Sequence, residues 1–249
     1  AGTLPDGGLL KYRPFRDPHH SASLPAVIGG GHKVKPGEIS LAHNGVLFLD
    51  ELPEFARSTL ESMRQPLETG EALIARANSH VTYPARFQLI AAMNPCRCGH
   101  LGDADLECTK APRCAGDYQS KISGPMLDRI DIQVDVPRVE IADLNAPAGE
   151  TSSTVAARIE NARNIQIHRN PKGCINARLD GKALEELAVL DPDAKALLDQ
   201  AMGVARMSAR SYYRILRVAR TIADLAGAPD TLSKIHLAQA LRYKRSALN

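Results

Sequence analysis

Two runs of apolar residues, each followed by polar side chains, are the clearest pattern in the chain. Val46 to Leu49 are apolar without alternation, and Asp50 and Glu51 follow directly. A short run of this kind is typical of a buried parallel strand at the centre of a sheet. A second run, Phe87 to Met93, predicts a second buried strand that ends at Asn94. Because ligands bind at the carboxyl ends of strands in open α/β sheets, we predict a site at this edge.

Between the two strands the pattern changes from helical to extended. Apolar side chains recur at helical spacing over residues 54–68, and Gly70 is placed to end that helix. Short strand-like runs at 72–75 and 80–83 flank a polar turn, which predicts a β-hairpin. Arg76 lies at the hairpin tip, where it either reaches a ligand in a central pore or belongs to a solvated turn.

Beyond residue 153 the pattern is almost entirely helical, and it predicts a small all-α bundle. The predicted helices cover residues 155–168, 181–188, 193–207, 209–226 and 233–241. Ser208 and Ser233 are expected as N-caps, and Gly227 is expected to end the helix before it. Residues 139–153 are polar and predicted to be a linker. The fold class is therefore α/β: a core with a parallel sheet over residues 1–138, followed by an all-α lid domain over 154–249.

Four cysteines follow the second strand within one loop segment, at positions Cys96, Cys98, Cys108 and Cys114. Four thiolates this close in sequence are able to form a tetrahedral Zn²⁺ site, with His100 as an alternative ligand. Free thiols and oxidised thiols remain the alternatives, because the spacing is not that of two Cys-x-x-Cys knuckles. Cys174 lies far from the others and is expected to be a buried apolar residue.

Composition and charge narrow the class of protein. Hydrophobic residues make up 44% and charged residues 24% of the 249 positions, which is typical of a globular chain. No apolar run approaches the roughly 18 to 20 residues that a membrane span needs, and residues 1–11 lack a signal-peptide pattern. We therefore expect a cytoplasmic protein with no membrane partner. The pair His19 and His20 is expected to make structural hydrogen bonds rather than bind a metal.

The net charge of +3 is unevenly distributed. Residues 1–152 contain 15 basic and 19 acidic residues, a net charge of −4, whereas residues 153–249 contain 16 and 9, a net charge of +7. A basic C-terminal part is able to approach nucleotide phosphates or nucleic acid, or it forms a solvated helical surface.

The residue types at the predicted strand edge suit phosphoryl chemistry. Asp50 is able to hold Mg²⁺ through its water shell, and Glu51 to polarise an attacking water. Asn94 is able to orient water or bind a phosphate, because an amide both donates and accepts. The alternative is a buried strand that ends in an acidic turn.

Three arginines are further candidates for binding phosphate. Arg129 follows a Gly-Pro turn, and on the surface it would reach the active site of a neighbouring subunit. Pairing with Asp128 or Asp131 is the alternative for this residue. Arg210 and Arg214 share one face of a predicted helix, where either reaches a phosphate.

Several motifs, in this order, resemble a known family. They are residues 12–20 (Tyr-Arg-Pro-Phe-Arg-Asp-Pro-His-His), residues 36–45 (Pro-Gly-Glu-Ile-Ser-Leu-Ala-His-Asn-Gly), Asp50 and Glu51, Asn94 and Pro95, the cysteine cluster, residues 123–131 (Ser-Gly-Pro-Met-Leu-Asp-Arg-Ile-Asp) and residues 208–211 (Ser-Ala-Arg-Ser). Over essentially its whole length the chain resembles AAA+ ATPases of the magnesium-chelatase branch, and most closely the ComM/YifB family.

The resemblance implies roles for individual residues. Asp50 and Glu51 would form the Walker B segment, Asn94 would be sensor 1, Arg129 the arginine finger and Arg210 sensor 2. The opening segment would be the insert in the second helix of this clade, and residues 70–85 the pre-sensor hairpin. The family further implies ATP and Mg²⁺ as cofactors and a homo-hexameric ring. It also implies helicase-like DNA branch migration during natural transformation, with Arg76 facing DNA in the pore.

One motif of the family is missing. No Gly-x-x-x-x-Gly-Lys-Ser/Thr occurs in the chain. We therefore expect a C-terminal piece of a longer protein, one that alone binds ATP poorly and lacks the first core strand. Two other functions remain open: a magnesium-chelatase-type motor subunit that acts on a protein partner, and a non-enzymatic zinc-binding interaction module.

Overall fold

The computed structural model describes residues 12–31, 34–76, 79–101, 108–137, 139, 147, 149–204, 207–227 and 230–244. The chain forms two compact units, residues 1–130 and residues 131–249. Each unit has its own hydrophobic core. Most of the linker predicted over 139–153 lies outside the described residues.

The first unit combines short strands and short helices. Its strands are β1 (Phe15–Arg16), β2 (Gly29–Gly30), β3 (Lys35–Pro36), β4 (Val46–Leu49), β5 (Glu71–Arg76), β6 (Ser79–Pro84) and β7 (Gln88–Ala91). Its helices are α1 (Leu24–Ile28), α2 (Glu38–Leu41), α3 (Arg57–Ser62), α4 (Arg64–Thr69), α5 (Arg113–Gln119) and α6 (Gly124–Leu127).

A parallel sheet in the order β1-β4-β7 confirms the predicted α/β class and the central position of β4. Leu47 and Leu49 are fully buried on one face of β4. On the other face Phe15 stacks on Phe48 with ring centroids 6.3 Å apart, and Phe15 and Ile90 remain 62% and 42% exposed. The predicted burial of the second strand is therefore wrong for most of β7, because the described residues cover only one face of the sheet.

Gly45 marks a close approach between β1 and β4. The Val46 N–H donates a hydrogen bond of 2.8 Å to the carbonyl oxygen of Pro14. A Cβ atom on Gly45 would lie 1.9 Å from that same oxygen. Only a residue without a side chain fits this position with the two strands in register.

The single helix predicted over residues 54–68 is wrong in its extent. A 3-10 turn (Leu52–Glu54) is followed by α3 and α4, which meet at Met63. Pro66 has no N–H to donate to the carbonyl of Ser62, so the helix cannot continue smoothly through this point. Gly70 ends α4 in the left-handed conformation with a φ of 73°, as predicted.

The predicted hairpin is confirmed. Strands β5 and β6 pair antiparallel from the Glu71 and Pro84 pair to the Arg76 and Ser79 pair. Residues 77 and 78 at the tip, and the side chain of Arg76, lie outside the part of the chain that the structure describes.

The second unit is mainly helical, as predicted. Its elements are α7 (Ser152–Arg169), two 3-10 turns (Pro171–Gly173 and Asn176–Arg178), α8 (Gly181–Leu187), β8 (Val189–Leu190), α9 (Pro192–Val204), α10 (Ala209–Leu225), β9 (Thr231–Leu232) and α11 (Lys234–Tyr243). Ser208 caps α10, since its hydroxyl accepts from the Ser211 N–H. The Ser233 N–H donates to Nδ1 of His236 at the start of α11. The parallel pair of β8 and β9 was not predicted.

A buried group of charged and amide side chains joins α7 to α10. Asp224 accepts from Nη2 of Arg169 at 3.0 Å and from Nδ2 of Asn176 at 2.7 Å, and it pairs with Nη2 of Arg220 at 3.0 Å. Arg220 and Asp224 are 1% and 3% exposed. Burial raises the pKa of Asp224, but the hydrogen bonds from Arg169 and Asn176 lower it by more, and the net pKa is below its ordinary value.

None of the described helices is both long enough and apolar enough to cross a lipid bilayer.

Candidate functional site

The carboxyl ends of β4 and β7 lie side by side and present polar side chains. The Ala92 N–H donates to the carbonyl of Leu49, and the Leu52 N–H donates to the carbonyl of Ala92, both at 3.0 Å. These two bonds hold the residues after β4 against the residues after β7. Asp50, Glu51 and Asn94 are all exposed at this edge. The predicted site edge is therefore formed within the first unit.

The two carboxylates after β4 differ in their surroundings. Oδ1 of Asp50 accepts a 2.8 Å hydrogen bond from the Glu51 N–H. Glu51 has a left-handed backbone with a φ of 50°, which is uncommon for a residue with a long side chain. An exposed carboxylate with a second oxygen fits a hydrated Mg²⁺ ion, because Mg²⁺ prefers oxygen ligands and retains several waters.

Glu51 has a partner that sequence reasoning missed. Nδ1 of His20 lies 3.0 Å from Oε2 of Glu51. We expected His20 to make structural hydrogen bonds, and it instead contacts the proposed catalytic carboxylate. The two residues are 31 positions apart, so only the fold brings them together.

The four loop cysteines come together as one cluster. Their Sγ atoms all lie within 4.8 Å of one another. With Zn–S bonds of about 2.3 Å, tetrahedral geometry needs sulfur atoms about 3.8 Å apart. The Sγ atoms of Cys96 and Cys98 are 3.2 Å apart and would separate slightly, while wider pairs would contract. His100 does not belong to the cluster. Cys174, expected to be buried, is half-buried in the second unit.

The neighbouring thiols of the cluster shift one another's pKa values. The backbone N–H of His100 lowers the pKa of Cys98, but the Cys96 and Cys108 thiols raise it by more, and the net pKa is about 12. Thiols this close cannot all be thiolates without a positive charge between them, and a divalent metal supplies it. The donor set therefore fits Zn²⁺.

The residues that follow the last cysteine are attached to the strand edge. Nε2 of Gln119 donates a 2.8 Å hydrogen bond to the carbonyl of Pro95, the residue after Asn94. Nζ of Lys121 pairs with Oε1 of Glu54 at 3.2 Å, three residues after Glu51. The residues after Cys114 thus contact the chain after both strands of the site.

Arg129 is not on the surface where we expected it. It is 9% exposed, and its Nη2 pairs with Oε1 of Glu68 at 2.9 Å. Its Nε and Nη1 donate to the carbonyls of Arg64 and Pro125. The partner, Glu68, thus belongs to α4 and is neither Asp128 nor Asp131, the two aspartates considered from the sequence. The physical reason is that a carboxylate and two backbone carbonyls together compensate for the burial of the Arg129 charge.

The two candidate arginines of α10 differ in their surroundings. Arg210 lies in the first turn of α10 and is exposed. Arg214, one turn later, is 8% exposed, and its Nη1 pairs with Oδ1 of Asp131 at 2.9 Å. Binding a phosphate would require Arg214 to release that carboxylate, so Arg210 is the more accessible of the two.

Comparison with known proteins gives consistent results along the chain. Residues 1–144 match the family described as magnesium chelatase, subunit ChlI, and residues 149–244 match the C-terminal part of that subunit. The competence protein ComM of Haemophilus influenzae is 48% identical over 236 residues, which are 94% of this chain and 45% of ComM.

Two further relatives have similar coverage. The protein YifB of Escherichia coli is 44% identical over 236 residues, which are 94% of this chain and 46% of YifB. The protein Rv2897c of Mycobacterium tuberculosis is 41% identical over 225 residues, which are 89% of this chain and 44% of that protein. The chain thus spans about half the length of these relatives. Because both units match one family in the same order, the chain belongs to the magnesium chelatase ChlI family, in the group that contains ComM and YifB.

Proposed function

We propose that this chain is part of an AAA+ ATPase that couples ATP hydrolysis to the remodelling of DNA. The observation that carries the proposal is the pair Asp50 and Glu51 at the end of the central strand β4, beside the residues that lead to Asn94. Ligands of parallel sheets bind at this edge, and phosphoryl transfer needs a metal ligand and a group that orients water.

Each residue of the edge has a separate task in this proposal. Asp50 would hold Mg²⁺ through its water shell, and the ion, when bound, neutralises charge on the phosphates of ATP. Glu51 accepts a proton from the attacking water. Asn94 donates a hydrogen bond to the γ-phosphate or to that water.

Three arginines are candidates to add positive charge in a homo-hexameric ring. Arg210 would contact the phosphates as sensor 2, with Arg214 a second candidate once it releases Asp131. Arg129 would act as the arginine finger of the neighbouring subunit, and this requires its side chain to exchange Glu68 for phosphate. A P-loop elsewhere in the full-length protein would complete the site.

The DNA part of the proposal is supported by two observations. The relative ComM is called a competence protein, and residues 153–249 carry a net charge of +7. The proposed activity is cytoplasmic and helicase-like, and it moves DNA branches during natural transformation. The positive charge of the helical part would attract the DNA, and Arg76 at the hairpin tip would contact the phosphate backbone.

The test is steady-state ATPase activity of the full-length protein, with and without branched DNA. We expect DNA to raise the turnover of the wild type. Glu51→Gln should lower kcat by about 100-fold or more, because the amide cannot accept the proton from water. Undiminished turnover by Glu51→Gln would contradict the Walker B assignment. Turnover that responds to a protein partner but not to DNA would favour a magnesium-chelatase-type motor subunit, and no turnover at all would favour an interaction module.

We also propose that the cysteine cluster holds one structural Zn²⁺ ion. Elemental analysis of the full-length protein, purified without chelator or added metal, should give about one zinc per chain. Replacing Cys96 and Cys98 with Ser should remove it, because two thiolates cannot close a tetrahedral site. Cys174→Ser, outside the cluster, should retain the metal. A zinc-free protein with freely titratable thiols would show that the cluster is not a metal site.

A further inference from the structure

The segment that carries Asn94 has few attachments after the strand pairing ends. The last hydrogen bonds of the sheet reach Ala92, and the side chain of Asn94 is exposed. Pro95 has no N–H, so its carbonyl oxygen is the only hydrogen-bonding group of its backbone. Nε2 of Gln119 donates a 2.8 Å hydrogen bond to that oxygen. Among the described residues, this is the one hydrogen bond that holds residues 93–95.

Gln119 is the last residue of α5, and this end of the helix is attached to the core. The Ile122 N–H donates a 3.0 Å hydrogen bond to the carbonyl of Gln119, and Ile122 is buried in the core of the first unit. Nζ of Lys121 lies 5.2 Å from the centre of the buried Tyr118 ring and 3.2 Å from Oε1 of Glu54. The amide of Gln119 is therefore presented from a fixed position, which also contacts the chain after β4.

The start of α5 belongs to the cysteine cluster. Cys114 is the second residue of α5, and Cys96 directly follows Pro95. The helix and the segment of Asn94 thus each contribute a sulfur atom to the cluster. The cluster joins these two pieces of chain at one point, and Gln119 joins them at a second point. One attachment leaves the segment free to rotate, whereas two attachments fix its orientation as well as its position.

We propose that Gln119 is a positioning residue for ATP hydrolysis: together with the cysteine cluster, it holds the backbone of Asn94 so that the amide side chain keeps its catalytic orientation. The inference rests on the proposed function, in which Asn94 bonds to the γ-phosphate or to the attacking water and the cluster holds Zn²⁺. Gln119 itself acts only through the chain that it holds. A displacement of a catalytic group by about 1 Å is able to cost about 100-fold in rate.

The first test compares two substitutions of Gln119 in the full-length protein. Gln119→Met has a similar length and lacks the donor, whereas Gln119→His keeps an N–H at the same number of bonds from Cα. We expect Gln119→Met to lower kcat for ATP hydrolysis roughly 10- to 100-fold, with KM for ATP within about twofold of the wild type. Gln119→His should recover most of that loss. Gln200→Met, at an exposed glutamine of α9, is the control and should leave both constants unchanged.

Hydrogen–deuterium exchange provides a second measurement that does not depend on activity. The backbone amides of residues 92–98 should exchange faster in Gln119→Met than in the wild type, while both proteins keep about one zinc ion per chain. Removal of zinc from the wild type should also lower kcat. Removal of zinc from Gln119→Met should add little to the loss, because both changes release the same segment.

The outcomes separate this inference from the function on which it rests. If the wild type hydrolyses ATP and Glu51→Gln does not, the proposed function stands and the Gln119 variants decide the inference alone. Unchanged kcat or unchanged exchange in Gln119→Met would overturn it, and equal losses in Gln119→Met and Gln119→His would show that Gln119 only supports the fold. Fully additive effects of Gln119→Met and zinc removal would overturn the link to the cluster. If the wild type hydrolyses no ATP, the proposed function fails and the inference falls with it.

Discussion

At the scale of single residues, Gly45 shows how one missing side chain sets the geometry of the site. Because the Val46 N–H bonds to the carbonyl of Pro14, the two chains are too close for a Cβ between them. The same contact fixes the start of β4, and β4 ends at Leu49, directly before Asp50. The position of the carboxylates therefore depends on a residue at the opposite end of the strand.

Gly45→Ala should lower the free energy of unfolding of the first unit by about 1 to 3 kcal/mol, since the new Cβ would lie 1.9 Å from a backbone oxygen and force the strands apart. Gly116→Ala is the matched control. It lies inside α5 with no atom within 4 Å of the new Cβ, and alanine favours a helix by about 0.5 to 1 kcal/mol. Urea denaturation of the two variants should show shifts of opposite sign. A shift in the same direction for both would contradict the close approach.

Single residues also show which contacts can be predicted from sequence. Asp50, Glu51 and the four cysteines were located because their neighbours in sequence determine their position. The partners of Glu51 and Arg129 were not, because His20 and Glu68 come from segments 31 and 61 residues away. A contact of that range depends on how helices and strands pack, which no local pattern contains.

At the scale of elements, the buried network between α7 and α10 joins two helices with charge rather than with apolar surface. Asp224 is the only carboxylate among the described side chains of this network, and it faces both Arg169 and Arg220. Removing one partner of a buried ion pair leaves the remaining charge without compensation, which costs more than the pair contributes.

Asp224→Asn should therefore lower the free energy of unfolding of the second unit by about 3 to 5 kcal/mol at neutral pH. The control Glu186→Gln breaks an exposed pair with Lys182 at 3.5 Å and should change it by less than about 0.5 kcal/mol. Denaturation curves of both variants and the wild type provide the comparison. A loss below about 1 kcal/mol for Asp224→Asn would show that the network contributes little.

The difference in unfolding free energy between the wild type and Asp224→Asn should depend on pH. The pKa of folded Asp224 is lower than its ordinary value of 3.8, so the folded state binds the proton less readily than the unfolded state. The stabilisation by Asp224 is therefore fully present above its unfolded pKa and is lost as the pH falls through its folded pKa. The difference between wild type and Asp224→Asn should shrink below about pH 4.

Elements were predicted well where one residue type decides their ends. Ser208 and Gly70 mark a helix start and a helix end as expected, because capping depends on local chemistry. The break between α3 and α4 was not predicted. An apolar period continues through it, and Pro66 changes the backbone without changing the hydrophobic pattern.

At the scale of the whole molecule, two boundaries along the chain lie at different positions: the one between the two compact units and the one at which the excess of positive charge begins. The first compact unit, residues 1–130, has 14 basic and 14 acidic residues. Residues 131–152 have 1 basic and 5 acidic residues, and the excess of positive charge begins only with the helical residues after 153. The proposed attraction to DNA therefore resides in the helical part and not in the stretch that precedes it.

The buried network also restricts how sequences of this kind can diverge. Arg169, Asn176, Arg220 and Asp224 satisfy one another, so a change at any one of them leaves a buried polar group unmatched. Replacement of several members together by apolar residues of similar volume avoids that penalty. In a library of random variants, these four positions should accept substitutions as a set while rejecting most of them singly. We therefore expect these positions of the second unit to change together rather than one at a time.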